Sequence, residues 1–210
     1  MSSKFKLELK KASRHLSKVD PVLSDIIKLY PECNIVPHTD YYWELIDSII
    51  SQQLSVKAAA SIERRFQELM GSKVPKPEDI LAKSVEELRT AGLSNAKANY
   101  IRDLAKNIID GTVRFDALDS QTNQEIINEL TKVKGIGEWT AHMFLIFCMG
   151  RLDVLPTGDL GIRNGVRKLY NLADAPTPQE IIEIAEKNKW TPYESVASWY
   201  IWQSLGNTPS

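Results

Sequence analysis

The stretch KVKGIGEWTA, residues 132–141, decides how this chain folds. Two glycines stand two apart, directly ahead of an apolar run from Ala141 to Met149. Upstream, Thr122-Asn-Gln-Glu125 has the form of a capping box, a hydroxyl followed three residues later by a carboxylate. It predicts a helix running to about Thr131. A second helix is predicted from Glu138 through the apolar run, and because that run is almost wholly apolar it reads as central and buried. Only Val133 to Gly137 remain to join the two, so the connection is a tight helix-hairpin-helix. Gly135 and Gly137 permit positive φ and close backbone approach. The bare amides and the dipole at the start of the second helix favour an anion there. No Lys-Ser or Lys-Thr follows, so a triphosphate fits poorly and one DNA backbone phosphate fits better. These few residues also read as a plain helix-helix connection with glycine just past a helix end.

Outward from the hairpin, nearly every segment has helical spacing. Between Tyr41 and Ile50, Leu45, Ile46, Ile49 and Ile50 share one face. Ser55 is placed to cap a helix that buries Ala59, Ile62, Phe66 and Leu69 and stops at Gly71. Ser84-Val-Glu-Glu87 is another capping box, before a short helix ended by Gly92. Ser94 caps a helix with Ala98, Ile101, Ala105 and Ile108 inward and Gly111 after it. Later starts fall at Asp159 or Gly161, at Thr177-Pro-Gln-Glu180 and at Tyr193, the last helix reaching Leu205. Val74 to Pro77, Leu155 to Gly158 and Ala175 to Pro178 read as connectors. No strand alternation and no repeat of fixed period is present, so the fold class is all-α with about ten helices.

The chain has 210 residues, 43% hydrophobic and 25% charged, the composition of a globular protein of one domain or two small lobes. It has no run of eighteen apolar residues to span a membrane, and MSSKFKLELKK lacks the apolar core of a signal peptide. Two cysteines, Cys33 and Cys148, are too few for a disulfide framework or a four-cysteine metal site. A reducing compartment, cytoplasmic (nucleoid) or nuclear, is expected. The net charge of −1 weighs against a protein that coats DNA electrostatically, so any DNA binding must come from local geometry.

The segment Leu130-x-x-Val133-Lys134-Gly135-Ile136-Gly137-x-Trp139-Thr140-Ala141 resembles the helix-hairpin-helix of base-excision DNA glycosylases. Asp153-Val-Leu-Pro156-Thr-Gly-Asp159-Leu-Gly-Ile-Arg163 resembles the Pro/Asp segment of the helix-hairpin-helix-GPD superfamily. Three further blocks, Ile49 to Ala59, Gly92 to Ile101 and Trp190 to Trp202, resemble its 3-methyladenine DNA glycosylase II branch. The order of the blocks makes the resemblance specific. It implies two helical lobes, residues 35–151 and residues 1–34 plus 152–210, with an active-site cleft between them. Fewer than forty residues precede the first block, so the likeness is to compact members without a β-rich N-terminal domain.

The resemblance implies hydrolysis of the N-glycosidic bond of N3- or N7-alkylated purines, 3-methyladenine and 7-methylguanine, in damaged double-stranded DNA. Asp159 would be the catalytic carboxylate, although locally it reads equally as an N-cap. Asp153 is the nearest rival and reads as a structural or solvated charge. Trp139, Trp202 and Met143 would line the base pocket, since ring faces hold a cationic base. Trp43, Trp190 and Trp199 are assigned to the core. Gln53, then Leu54, with Gln52 and Ser55, would enter the duplex and fill the gap left by a flipped base. Gly135, Gly137, Thr140 and Lys134 would grip phosphate, with Lys57 and Arg163 as further phosphate partners. No cofactor is expected for catalysis, and no nucleotide. The carbonyls of Thr131, Val133 and Gly135 would hold a structural Na+ or K+.

Members that also cut the backbone carry lysine at the position of Trp139, so the resemblance implies a monofunctional glycosylase; a monomer is expected. Glu194 stands where many relatives have arginine. That departure keeps open a catalytically weak or inactive homologue that only binds abasic or damaged DNA.

Overall fold

The computed structural model describes residues 2–206. Among them it is helical throughout, without a strand. Two compact units divide the chain: a flanking unit, Met1–His38 with Leu145–Ser210, and an inserted unit, Thr39–Phe144. Of the flanking unit, positions 1 and 207–210 lie outside the described residues.

The flanking unit opens with α1 (Ser3–Val19) and α2 (Pro21–Leu29). Asp20 joins them: its Oδ1 accepts from the amides of Val22 and Leu23, capping α2.

The inserted unit runs through α3 (Tyr41–Ser51), α4 (Val56–Met70), α5 (Pro77–Ala82), α6 (Val85–Arg89), α7 (Asn95–Ile109), α8 (Asn123–Leu130) and α9 (Glu138–Met143). Ser55, Ser84, Ser94 and Thr122 cap their helices as their positions predicted, and both capping boxes are closed in both directions. α7 is the hub, packing against α3, α5 and α6. It buries Ala98, Ile101, Leu104 and Ala105. Removing Ile101 or Leu104 from water contributes at most about 1.5–3 kcal/mol, reckoned against an extended chain.

The flanking unit resumes and ends with α10 (Leu160–Leu169), α11 (Pro178–Lys187) and α12 (Glu194–Ser204). α12 buries every residue from Ser195 to Trp202 and packs against α1, α2 and α10. The second oxygen of Asp20 accepts from the Tyr170 hydroxyl and, at 2.7 Å, from the Trp190 indole N–H. Both cysteines are buried in this unit. Among the described residues, no helix is long and apolar enough to cross a membrane.

Four expectations are corrected. The apolar run is not one α-helix, because α9 ends at Met143 and Phe144–Cys148 form a π-helical turn. A run that is apolar at every position but His142 carries almost no period, so little in it separates an α-turn from a wider one. The change of unit also falls inside this run, at 144/145 rather than 151/152, because Phe147 already packs on Trp202, with ring centroids 5.8 Å apart. α5 was read only as the end of a connector. Pro77 stands at its first position, where a missing N–H costs nothing, with Glu78 and Asp79 in the first turn. Trp43 is half-buried rather than core, lying in the first turn of α3, where the buried face of that helix runs out.

Candidate active site

Asp159 caps α10. Its Oδ1 accepts from the Ile162 amide at 2.7 Å and from the Trp202 indole N–H at 2.8 Å. The carboxylate is 8% exposed and sits at the helix's positive end. The cap reading of this residue holds, and the cap is at the same time a held, oriented carboxylate. Its approach is fastened by Ser195, which is wholly buried in the first turn of α12. The Ser195 hydroxyl accepts from the Val154 amide and donates to the Arg151 carbonyl, while its own amide donates to the Leu152 carbonyl. α12 thus holds the segment before Asp159 with Ser195 and the carboxylate itself with Trp202. α10 lies close enough for this because of glycine. A Cβ on Gly165 would stand 2.3 Å from Cγ2 of Ile201, and one on Gly161 would stand 3.0 Å from Cδ1 of Trp202.

Trp202 is 1% exposed, whereas Trp139, in α9 of the inserted unit, is 50% exposed. Met143, one turn after Trp139, is half-buried. The structure brings together Asp159 and Trp202 within the flanking unit. Asp153 is exposed.

In the inserted unit, α3 ends at Gln52 and α4 starts after Ser55, whose hydroxyl accepts from the Ala58 amide. Gln53 and Leu54 are exposed between them, and Gln53 has a left-handed φ of 56°. Left-handed backbone is uncommon outside glycine and concentrates at functional turns. Gln52 turns the other way: its side-chain amide donates to the Gly135 carbonyl at 2.8 Å. Gly135 itself requires glycine, with φ at 86° and the Tyr100 ring 2.2 Å from where a Cβ would lie. Ile136 donates to the Val133 carbonyl, and the Lys134 amide donates to the Asp103 carboxylate at 2.8 Å. The Lys134 amide is therefore committed, and phosphate would meet its exposed side chain instead. Gly137 is exposed and begins α9, with Thr140 half-buried in its first turn.

Two of the carbonyls named for a monovalent ion already accept a hydrogen bond. Gly135 already accepts from Gln52 and Val133 from Ile136, which leaves each one lone pair. Lys57 is exposed, while the Nε of Arg163 is engaged by the Pro176 carbonyl at 2.9 Å. Glu194 has a local role in the first turn of α12, where its Oε1 accepts from the Thr191 hydroxyl at 2.6 Å. An open, polar concavity of about 630 Å³ is lined by Asn164, Arg167, Lys168, Asn171, Leu172 and Leu205, without Asp159 or Trp202. Its solvated basic lining is unlike a base pocket, which is mostly apolar.

Sequence reading gave Ser195, Tyr100 and Phe147 no part in the site. Two of them lie inside quoted blocks, but a buried serine and a half-buried tyrosine carry no signal of the distant backbone they meet.

The sequence pattern of the HhH-GPD superfamily of base excision DNA repair proteins matches residues 46–190. The DNA-3-methyladenine glycosylase 1 of Schizosaccharomyces pombe is 36% identical over 201 residues, covering 93% of this chain and 87% of that protein. Among solved structures, the DNA-3-methyladenine glycosidase of Bacillus halodurans superposes with a TM-score of 0.84 at 36% identity, over 93% of this chain and 89% of the other. The S. pombe 3-methyladenine DNA glycosylase in complex with abasic DNA superposes with a TM-score of 0.78 at 35% identity, over 93% and 97%.

Proposed function

Because the chain belongs to the HhH-GPD superfamily of base excision DNA repair proteins, we propose that it is a monofunctional DNA glycosylase acting on N3- and N7-alkylated purines in duplex DNA. The relatives named as 3-methyladenine glycosylases span nearly the whole chain, which supports the substrate class. The observation that carries the reading is the Asp159 carboxylate, held from two sides by the Ile162 amide and the Trp202 indole.

An alkylated purine is already cationic and leaves as a neutral base, so little acid is needed at the leaving group. Positive charge grows on the deoxyribose instead. A carboxylate with a fixed plane, shielded from water, stabilises that charge without reorganising and can orient the attacking water. The exposed indole of Trp139 offers a ring face to a cationic base and no amine for a Schiff base, which supports hydrolysis without strand cleavage. Gln53 and Leu54, exposed at a strained turn, suit the plug that occupies the vacated stack. The hairpin at Gly135 and Gly137, with the Lys134 side chain, suits a phosphate.

Incubation with methylated duplex DNA, followed by chromatography of released bases, tests the assignment. Release of 3-methyladenine and 7-methylguanine is expected, and Asp159→Asn should lower the single-turnover rate by about 10²–10³ or more. Tight binding to abasic duplex with no release would instead identify a lesion binder.

A further inference from the structure

Lys97 is the third residue of α7, inside its first turn. A cation is disfavoured there, because the amide end of a helix carries partial positive charge. Lys97 is also half-buried, and burial alone pulls its pKa below the ordinary lysine value. A lysine in so poor a position needs a strong partner, and the structure supplies two. Its Nζ donates to the Ile50 carbonyl at 2.8 Å and to the Gln52 carbonyl at 2.7 Å. Both carbonyls belong to the last turn of α3, the negative end of that helix. The ammonium therefore closes α3 immediately before Gln53 and Leu54.

The same helix also supports the hairpin. Tyr100, one turn beyond Lys97, places its ring where no side chain could stand on Gly135. The Gly135 carbonyl then accepts the Gln52 side chain at 2.8 Å. Lys97, Gln52, Gly135 and Tyr100 form one chain of contacts, so a single helix sets both the end of the plug loop and the hairpin turn.

Building on the glycosylase reading above, we propose that Lys97 is the positioning residue of the plug. By bridging the Ile50 and Gln52 carbonyls it fixes the height and direction of Gln53 and Leu54 relative to the hairpin that would hold the DNA backbone. Lys97 touches no reacting atom, and its effect is confined to duplex substrates. Only a duplex has a stack to be filled when a base leaves it.

The test compares release of 7-methylguanine from methylated duplex and from the same strand single-stranded, under single-turnover conditions. Lys97→Met keeps the stem and removes every donor, Lys97→Arg restores two donors, and Lys97→Gln keeps one amide so that the ratio stays readable should the methionine variant not fold. In Lys97→Met the duplex rate should fall about tenfold or more, with the single-strand rate within about twofold of the unsubstituted protein. The arginine variant should recover most of the duplex rate. A 2-aminopurine beside the lesion should show a weaker fluorescence rise on binding in Lys97→Met, because the flipped state is less populated. Equal loss on both substrates, an unchanged ratio, or failure of arginine to restore the duplex rate overturns the positioning role while leaving the glycosylase assignment standing. No release by the unsubstituted protein from either substrate overturns the glycosylase reading and this role with it.

Discussion

At the scale of single residues, two carboxylates stand in different surroundings. Asp159 is surrounded by donors, whereas Asp47 in α3 is half-buried near other acids. Burial first, then the charges of Glu63 and Glu44, push the Asp47 pKa up to about 6 from 3.8. At neutral pH the folded protein holds this group charged against its preference, which weakens the fold. As pH falls through about 6 the folded state takes up the proton first, so this contribution to stability rises. It levels off below 3.8, where the unfolded chain is protonated as well. Solvent screening at a half-buried site limits the effect to about 1 kcal/mol. Asp47→Asn should therefore raise Tm by about 2–4 °C at pH 7.5, with the gain shrinking towards pH 4. Thermal melts across that range check it, and an equal gain at both ends would rule out a titrating carboxylate as the cause. Of its causes only Glu44 is near Asp47 in the sequence, since the burial is tertiary and Glu63 comes from the next helix. Asp159 could be located through the order of its motif blocks. That its partner would be Trp202, 43 residues on, could not, because the indole was read only as a ring face for the base.

Among elements, caps were the most legible feature. Ser55, Ser84, Ser94, Thr122 and Thr177 each accept from a helix's first-turn amide, as their spacing predicts. Such local signals need no tertiary context. The π-helical turn at Phe144–Cys148 and helix α5 were not legible, the first because so apolar a run has almost no phase, the second because a proline-bearing stretch reads as a connector whether it leads into a short helix or not. Helix-helix approach was equally silent. Gly165 looks like an unfavourable residue inside α10, yet it lets Ile201 of α12 lie against the α10 backbone. Gly165→Ala should destabilise the protein by about 1–3 kcal/mol through overpacking. Pushing α10 away from α12 should also draw Asp159 from the Trp202 N–H. The base-release rate at saturating DNA should then fall, with affinity for abasic duplex nearly unchanged. Denaturant melts and single-turnover kinetics read the two effects, and loss of affinity without loss of rate would show that the α10–α12 contact does not govern the carboxylate.

For the whole molecule, net charge is the discriminating property. A charge of −1 over 210 residues gives no general attraction to a polyanion, so binding must be concentrated in few contacts. Backbone amides at the hairpin would hold phosphate without adding charge, and they displace few counterions. Lys134, Lys57 and Arg163 would then be the main cationic contributors, and the last is partly spent on the Pro176 carbonyl. Since each neutralised phosphate steepens the plot of log K against log salt by about 0.9, the slope for an abasic duplex should be about −2 to −3. Fluorescence anisotropy between low and moderate salt measures it. Lys134→Ala should make the slope shallower by about one unit while leaving the duplex-to-single-strand release ratio intact, because a phosphate contact sets register and not the filling of the stack. A slope steeper than about −6 would point to a basic surface wider than these three residues, and the weak net charge would then conceal a segregated field.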